Sequence, residues 1–146
     1  MKKRSILMIL LIALPLLVVF IASGPDGVTV FDGENTAYYS WMQPVSNSSV
    51  GWCAPVAALL NYAVFAVTVF FVLKKKTGCL KVIRNMAAVA GCLAVVPNLF
   101  PGDVMILPNV FGGIALFADA VTAELLRKTE GEEQKNVAQG KRLERR

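Results

Sequence analysis

Ionisable residues inside apolar sequence are the first candidates for chemistry in this chain. Asp119 lies in the last apolar run, eight residues before Arg127, and Arg84 and Asn85 lie near the start of the preceding run. On a helix in a bilayer, Asp119 would be about 12 Å from the basic end, too deep for its short side chain to reach water. We expect Asp119 to pair with Arg84 or Asn85 across two helices. The alternatives are a proton or cation site and an isolated, protonated carboxyl group.

The residue types that serve most catalytic and metal sites are scarce. The sequence has no histidine, and its three cysteines, Cys53, Cys79 and Cys92, form no CxxC pair. This argues against zinc fingers, histidine-based triads and thioredoxin-like redox sites. We also find no phosphate-binding loop, paired catalytic carboxylates or metal-ligand cluster in the sequence. We therefore expect no catalytic activity, cofactor or metal, although Cys53 could bridge two copies of the chain.

The composition indicates that these polar residues lie in a membrane. Hydrophobic residues make up 55% of the 146 residues, and the mean hydropathy is +0.57, whereas soluble domains contain about 45 to 50% apolar residues. A helix of roughly 20 apolar residues crosses the hydrocarbon core of a bilayer. We predict an all-α membrane protein, an up-down bundle of four transmembrane helices within residues 1–128, with a charged, disordered cytoplasmic tail over 129–146. The four predicted spans are 5–23, 54–73, 82–100 and 104–126.

The positions of the basic residues predict the orientation of the helices. All 15 Lys and Arg residues lie before the first span, between the second span and the start of the third, or after the fourth. Because cytoplasmic loops collect Lys and Arg, both termini are predicted to be cytoplasmic, in the cytoplasmic membrane of a bacterium. The net charge of +5 then reflects topology and indicates no nucleic-acid partner. A soluble bundle of fully buried helices would not explain this segregation of charge.

The first span also has features of a cleavable signal peptide. Its basic start, its apolar core and the small residues Ala22, Ser23 and Gly24 fit that plan. The apolar core of about 17 residues exceeds the usual 7 to 15, and Pro25 is a poor start for a mature chain. We therefore expect this segment to be retained as a helix.

The segment 24–53 is the predicted external loop. Two β-prone runs, 28–31 and 36–41, flank the turn dipeptide Asp32-Gly33, which predicts a small external β-hairpin between the first two helices. Amphipathic aromatic rings settle at the level of lipid headgroups. The loop is therefore interpreted either as a cap that binds a partner or as an aromatic belt that anchors the chain. The candidate contact residues are Tyr38, Tyr39, Trp41 and Trp52.

Small and polar residues predict where the helices meet. Glycine and alanine let helix backbones approach closely in lipid, and an asparagine adds an interhelical hydrogen bond. We expect Asn61 to have that role, and Glu124 to pair with Arg127 one turn later on its own helix. The predicted small-residue faces contain Ala87, Gly91, Ala94, Gly112 and Gly113.

Together these features predict a non-enzymatic membrane component, either an interaction protein or part of the cell envelope. Its expected partners are the lipid bilayer and either further copies of the chain or another membrane protein. The alternative function is a subunit of an oligomeric ion- or proton-coupled transporter, with Asp119 as the candidate carrier. A membrane enzyme would need several polar groups at one depth, for which only Asp119, Arg84 and Asn85 qualify.

Overall fold

Four α-helices make up most of the chain that the structure describes. The computed structural model describes residues 2–24, 28–32, 35–42, 52–99, 104–105 and 107–143. The first three helices contain no Asp or Glu and consist mainly of Ala, Val, Ile, Leu and Phe. The helices are α1 (Lys2–Ser23), α2 (Cys53–Lys74), α3 (Gly78–Val95) and α4 (Leu107–Leu143).

Three of the described helices are long and apolar enough to cross a membrane. They contain the segments Arg4–Ser23, Cys53–Lys74 and Gly78–Val95. This confirms the first three predicted spans as helices of suitable length and composition. The apolar part of α4 is interrupted by Asp119, Glu124 and Arg127.

The third and fourth spans begin and end elsewhere than predicted. Helix α3 ends at Val95 and continues as a short 3-10 helix over Val96–Leu99. Pro97 explains the early end of the α-helix, because proline has no backbone N–H to donate to the carbonyl four residues before it. Val104 and Met105 form a strand instead of starting the fourth helix.

Helix α4 continues far beyond the apolar stretch. The sequence predicts a disordered tail from residue 129, whereas the helix runs on to Leu143. Ten of the 15 residues from 129 to 143 are Glu, Gln, Lys, Arg, Ala or Leu, which are strong helix formers. Residues 144–146 lie outside the described part.

Three short strands pair with one another. Strand β1 (Val28–Asp32) pairs antiparallel with β2 (Asn35–Tyr39), with Thr29 opposite Tyr38. Strand β3 (Val104–Met105) pairs with the other edge of β1, giving the order β2-β1-β3. Gly33 of the predicted turn lies outside the described residues. The sheet therefore links the connection between α1 and α2 to the connection between α3 and α4.

Each helix packs against two others. Helix α1 contacts α2 and α4, and α3 contacts the same two helices. Arg4, at the start of α1, bonds Glu130, near the middle of α4, whereas Val18 packs in one cluster with Leu116. Helices α1 and α4 thus run antiparallel at these contacts. The end of the molecule that carries the strands is called the sheet end, and the end with Arg4 and the α2–α3 connection is called the basic end.

The core between the helices consists of two clusters with different composition. The sheet-end cluster is mostly alanine around one tryptophan. The basic-end cluster contains more large aliphatic side chains and one phenylalanine. Members of the sheet-end cluster are Val18, Ala22, Trp41, Ala54, Ala57, Ala58, Ala90, Ala94, Ala115 and Leu116. Members of the basic-end cluster are Leu7, Leu11, Val64, Phe71, Leu80, Ile83, Ala87, Ala120, Ala123 and Leu126.

Candidate functional site

Asp119 is completely buried inside the helix bundle. Its exposed fraction is 0%, and neither carboxylate oxygen has a hydrogen-bond partner among the described residues. Its helix presents Leu116, Ala120 and Ala123 to the core on the same side. A buried carboxyl group without a partner costs free energy of folding, and it is therefore a candidate for a role other than stability.

The predicted pairing of Asp119 with Arg84 or Asn85 is wrong. The Arg84 guanidinium bonds Glu124 of α4 at 3.0 Å and the Oδ1 atom of its neighbour Asn85 at 2.8 and 3.0 Å. Glu124 lies five residues after Asp119, about 7.5 Å further along the helix. Arg84 thus enters the bundle at the level of Glu124, closer to water, where a charged pair is less costly.

Glu124 is the centre of a three-residue ion cluster at the basic end. Besides Arg84, it accepts hydrogen bonds from Arg127 at 2.7 and 2.9 Å, which confirms the predicted pair one turn apart. The hydrogen bond with Glu124 and its negative charge raise the pKa of the Arg127 guanidinium. Arg84 and Glu124 therefore join α3 to α4, and Arg127 is a second positive partner of the same carboxylate.

A second ion pair, which no sequence pattern predicts, joins α1 to α4. Arg4 donates to Glu130 at 3.0 Å, and the Glu130 side chain is only 8% exposed. The two residues are 126 positions apart in the chain. Sequence spacing predicts pairs within one helix, so this contact could be found only once the register of α1 against α4 was known.

Asp119 lies at the same level of the bundle as two other polar features. Pro15 lies eleven residues after Arg4, and Asp119 lies eleven residues before its partner Glu130. Asn61 of α2 donates to the Pro15 carbonyl at 3.1 Å, which confirms the interhelical role predicted for it. Pro15 also has no N–H for the carbonyl of Leu11. We call Pro15, Asn61 and Asp119 the mid-bundle level.

Polar atoms of α2 and α4 at the mid-bundle level lack partners. The Asn61 Oδ1 atom, like both Asp119 oxygens, is buried without a hydrogen bond among the described residues. Asn61 itself is 1% exposed. The sequence shows each residue as polar within an apolar run, but their common level follows only from the helix register.

Trp41 is not part of an exposed aromatic surface. Its side chain is 0% exposed and packs in the sheet-end cluster. A Cβ atom added to Gly112 would lie 2.5 Å from the Cη2 atom of the indole. Gly112 therefore provides space for Trp41, whereas the small-residue pattern predicted a contact between helices there.

The other predicted aromatic contact residues have different environments. Trp52 is 56% exposed at the start of α2, as an interfacial residue would be. Tyr38 and Tyr39 belong to β2, where they pair with Thr29 and Val28 of β1. The four aromatic residues therefore do not form one surface, because Trp41 is buried in the core.

Gly91 and Gly113 bring α3 and α4 into close contact. A Cβ atom on Gly91 would lie 3.3 Å from the Gly113 carbonyl oxygen, and one on Gly113 would lie 2.7 Å from the Val95 Cγ2 atom. Ala87 and Ala94 are fully buried on the same helix. The small-residue face predicted on α3 is therefore a helix contact.

The cysteines occupy three different environments and are free thiols. Cys53 is buried, Cys79 is partly exposed and Cys92 is exposed. Burial of Cys53 argues against the suggested bridge between two copies through it. Within the described part of the chain, no group of three or more Cys, Asp or Glu residues is arranged to hold a metal ion.

Comparison of the chain with protein-family models, with curated proteins and with solved structures finds no match.

Proposed function

We propose that this protein is a four-span integral membrane protein with both termini in the cytoplasm, which acts without catalysis through contacts with other membrane components. The observation that carries the proposal is the distribution of exposed apolar side chains. Phe20 of α1 is 74% exposed, Leu73 of α2 73%, Val89 of α3 52% and Phe111 of α4 61%. Such a surface on all four helices suits lipid and is unfavourable in water.

Helix α4 carries its own apolar stripe, which supports a fourth span. Phe111, Ile114, Phe117, Val121 and Leu125 are all exposed and follow one another at intervals of three or four residues. This spacing places them on one face of the helix. The opposite face holds the buried Asp119, so the charge that interrupts the apolar sequence is turned away from lipid.

The proposed orientation can be tested by labelling cysteines in intact cells. Cys53 is buried and Cys92 is exposed in the last turn of α3, so neither reports a loop. We would therefore introduce Met42→Cys at the sheet end, where Met42 is 46% exposed, into a chain that keeps only Cys79. A membrane-impermeant maleimide should label the new cysteine in intact cells and Cys79 only after permeabilisation. Labelling of Cys79 in intact cells contradicts the orientation.

A partner at the sheet end is the more specific part of the proposal. Trp52 is exposed there, next to the first turn of α2. A photo-crosslinking residue in place of Trp52 should give adducts of defined higher mass in cells. The same residue in place of Leu59, which is 57% exposed on the apolar surface of α2, serves as the control for lipid contact. Adducts with lipid alone at both positions would contradict a protein partner.

A second candidate function, proton or ion coupling in an oligomer, is favoured by the mid-bundle level. An ionisable group buried at this depth without a partner is expensive, and such groups commonly mark ion or proton pathways in membranes. Asp119 and Asn61 together provide three oxygen atoms at one level that have no hydrogen-bond partner among the described residues. Proteoliposomes that contain the purified chain would show proton or sodium flux if this candidate is correct. Vesicles with intact protein but no flux under either gradient would leave the interaction protein as the function.

A further inference from the structure

A groove at the basic end lies between the last turns of α2 and the first turns of α3. Its volume is about 670 Å³. Helix α2 ends because Lys75 takes a left-handed conformation with φ 50°, and its N–H bonds the Phe71 carbonyl at 2.7 Å. This tight connection places the start of α3 directly beside the end of α2. The lining residues are Val67, Phe70, Lys75, Lys76, Thr77, Gly78, Cys79 and Val82.

Both charged residues that line the groove are lysines. Lys75 and Lys76 are exposed and form no ion pair within the described part of the chain. The sequence contains no acidic residue between Glu34 and Asp103, so neither α2 nor α3 can neutralise them. On the neighbouring α4, Glu124 is held by Arg84 and Arg127.

The first turn of α3 adds one backbone donor to the same place. Thr77 at the N-cap makes no side-chain hydrogen bond to the helix. The N–H groups of Cys79 and Leu80 already bond the carbonyls of Lys76 and Thr77 at 3.0 and 3.1 Å, which leaves the N–H of Gly78, the first residue of the helix, to favour a negative group. A Cβ atom on Gly78 would meet nothing within 4 Å, so the space in front of this turn is open.

The other wall of the groove is apolar. Phe70 and Val82 are each 46% exposed, and Val67 is partly buried beside them. These residues lie one to two turns from the lysines, on the side that faces the middle of α2 and α3. An occupant must therefore carry a negative group at one end and an apolar chain at the other.

We propose that this groove binds the phosphate headgroup of an anionic phospholipid, with Lys75, Lys76 and the start of α3 around the phosphate and an acyl chain along Phe70 and Val82. Basic pockets between membrane helices on the cytoplasmic side bind such headgroups in other proteins. The inference rests on the proposed membrane location of the chain. It adds one lipid class and one binding site to that location.

The test is lipid binding to the full-length protein in detergent, measured by native mass spectrometry. Dioleoyl phosphatidylglycerol should bind more tightly than dioleoyl phosphatidylcholine. Replacing both lysines, Lys75→Gln with Lys76→Gln, should weaken phosphatidylglycerol binding roughly 25-fold, because each lysine near an anionic surface strengthens binding about fivefold. The matched control removes two positive charges from α4, Lys128→Gln with Lys135→Gln, and should leave the affinity unchanged. An equal loss in both variants would mean diffuse attraction to the basic end and would overturn the site.

A substitution at Gly78 tests the site without threatening the fold. Gly78→Glu places a carboxylate at the start of α3, where it suits the helix but repels a phosphate. Gly78→Gln has nearly the same shape without the charge. We expect the Glu variant to lose the preference for phosphatidylglycerol, while both variants keep the melting temperature of the wild type. Retained binding in the Glu variant overturns the proposal.

Two further measurements distinguish a bound lipid from a soluble phosphate compound and test the membrane location separately. Glycerol phosphate, which has the headgroup chemistry but no acyl chain, should not compete at concentrations equal to the lipid, and competition would assign the groove to a soluble phosphate compound. The second measurement is washing of membranes with alkaline carbonate, which an integral membrane protein resists. If the proposed membrane location is wrong, the chain is released by this wash whatever lipid it prefers.

Discussion

The two ends of the helix bundle are held together by different interactions. At the sheet end, alanines and glycines let the helices approach closely, and one buried tryptophan fills the space that remains. At the basic end, larger side chains separate the helices, and two ion pairs join α4 to its neighbours, Arg4 with Glu130 and Arg84 with Glu124.

The difference follows from where charged groups can be placed. Near the basic end, arginines have access to water and their long side chains can still reach into the bundle. Deeper in the bundle a charged group is costly, and close contact between helix backbones takes the place of ion pairs. Asp119 lies between the two ends: it is buried as deeply as the alanines, yet it has no ion partner among the described residues. The stability of the two ends should therefore respond to different substitutions.

The largest effect is expected at Trp41. Trp41→Ala removes a completely buried indole from a cluster of small residues that cannot fill the space. We expect a loss of about 3 to 5 kcal/mol in unfolding free energy, measured by denaturant titration in detergent. Trp52→Ala, at a residue that is 56% exposed, should change it by no more than about 0.5 kcal/mol. Equal effects of the two substitutions would contradict the placement of Trp41 in the core.

A smaller loss is expected from Gly112→Ala. The new methyl group would lie 2.5 Å from one indole carbon of Trp41 and 2.8 Å from another. Forcing the ring to move should cost about 2 kcal/mol. Gly131→Ala is the matched control on the same helix, because a Cβ atom there meets nothing within 4 Å, and it should stabilise the helix by about 0.5 to 1 kcal/mol. Combined with Trp41→Ala, Gly112→Ala should cost almost nothing, and a full additive cost would refute the contact.

The sequence predicted the helices better than the contacts between them. The apolar runs indicated three spans within a few residues of the helix bounds, because length and hydropathy alone determine which segments suit a bilayer. The bounds around Pro97 were wrong, since the apolar run extends past the proline to Phe100 whereas the α-helix ends at Val95. Hydropathy does not locate the end of a helix within an apolar run.

The candidate site shows the same limit. Asp119, Arg84, Asn85 and Asn61 were all recognisable as polar residues in apolar sequence. Which of them are in contact depends on helix register. Arg84 contacts Glu124, which lies five residues after its predicted partner Asp119. The burial of Trp41 could not be predicted from the sequence either, because an aromatic residue in a loop has the same sequence signature whether it lies at an interface or fills a core.

At the basic end, the ion pair of α1 and α4 should be measurable on its own. Arg4→Gln removes the charge that faces Glu130, whose side chain is 8% exposed. We expect a loss of about 1 to 2 kcal/mol, since the carboxylate stays largely buried. Lys128→Gln removes the same charge from an exposed position of α4 and should change the stability by no more than about 0.5 kcal/mol. Similar melting temperatures for both variants would show that Arg4 does not hold α1 against α4.

The smallest effect, and the only gain at a core residue, is expected at Asp119. Because its carboxylate has no hydrogen-bond partner among the described residues, Asp119→Leu removes a desolvation cost and should raise the unfolding free energy by about 1 kcal/mol, while Asp119→Asn should leave it nearly unchanged. Asn61→Leu is the control at the same level and should lose about 0.6 kcal/mol, because it breaks a hydrogen bond to α1. A loss of stability in Asp119→Leu would mean that the carboxyl group has a partner and stabilises the bundle.

Measured beside flux in proteoliposomes, the same variants separate the two candidate functions. A carrier loses flux in Asp119→Asn, since an amide cannot exchange a proton, and does so without loss of stability. An interaction protein shows no flux in any variant, and its Asp119 is then a stability cost whose removal leaves the crosslinks at Trp52 unchanged.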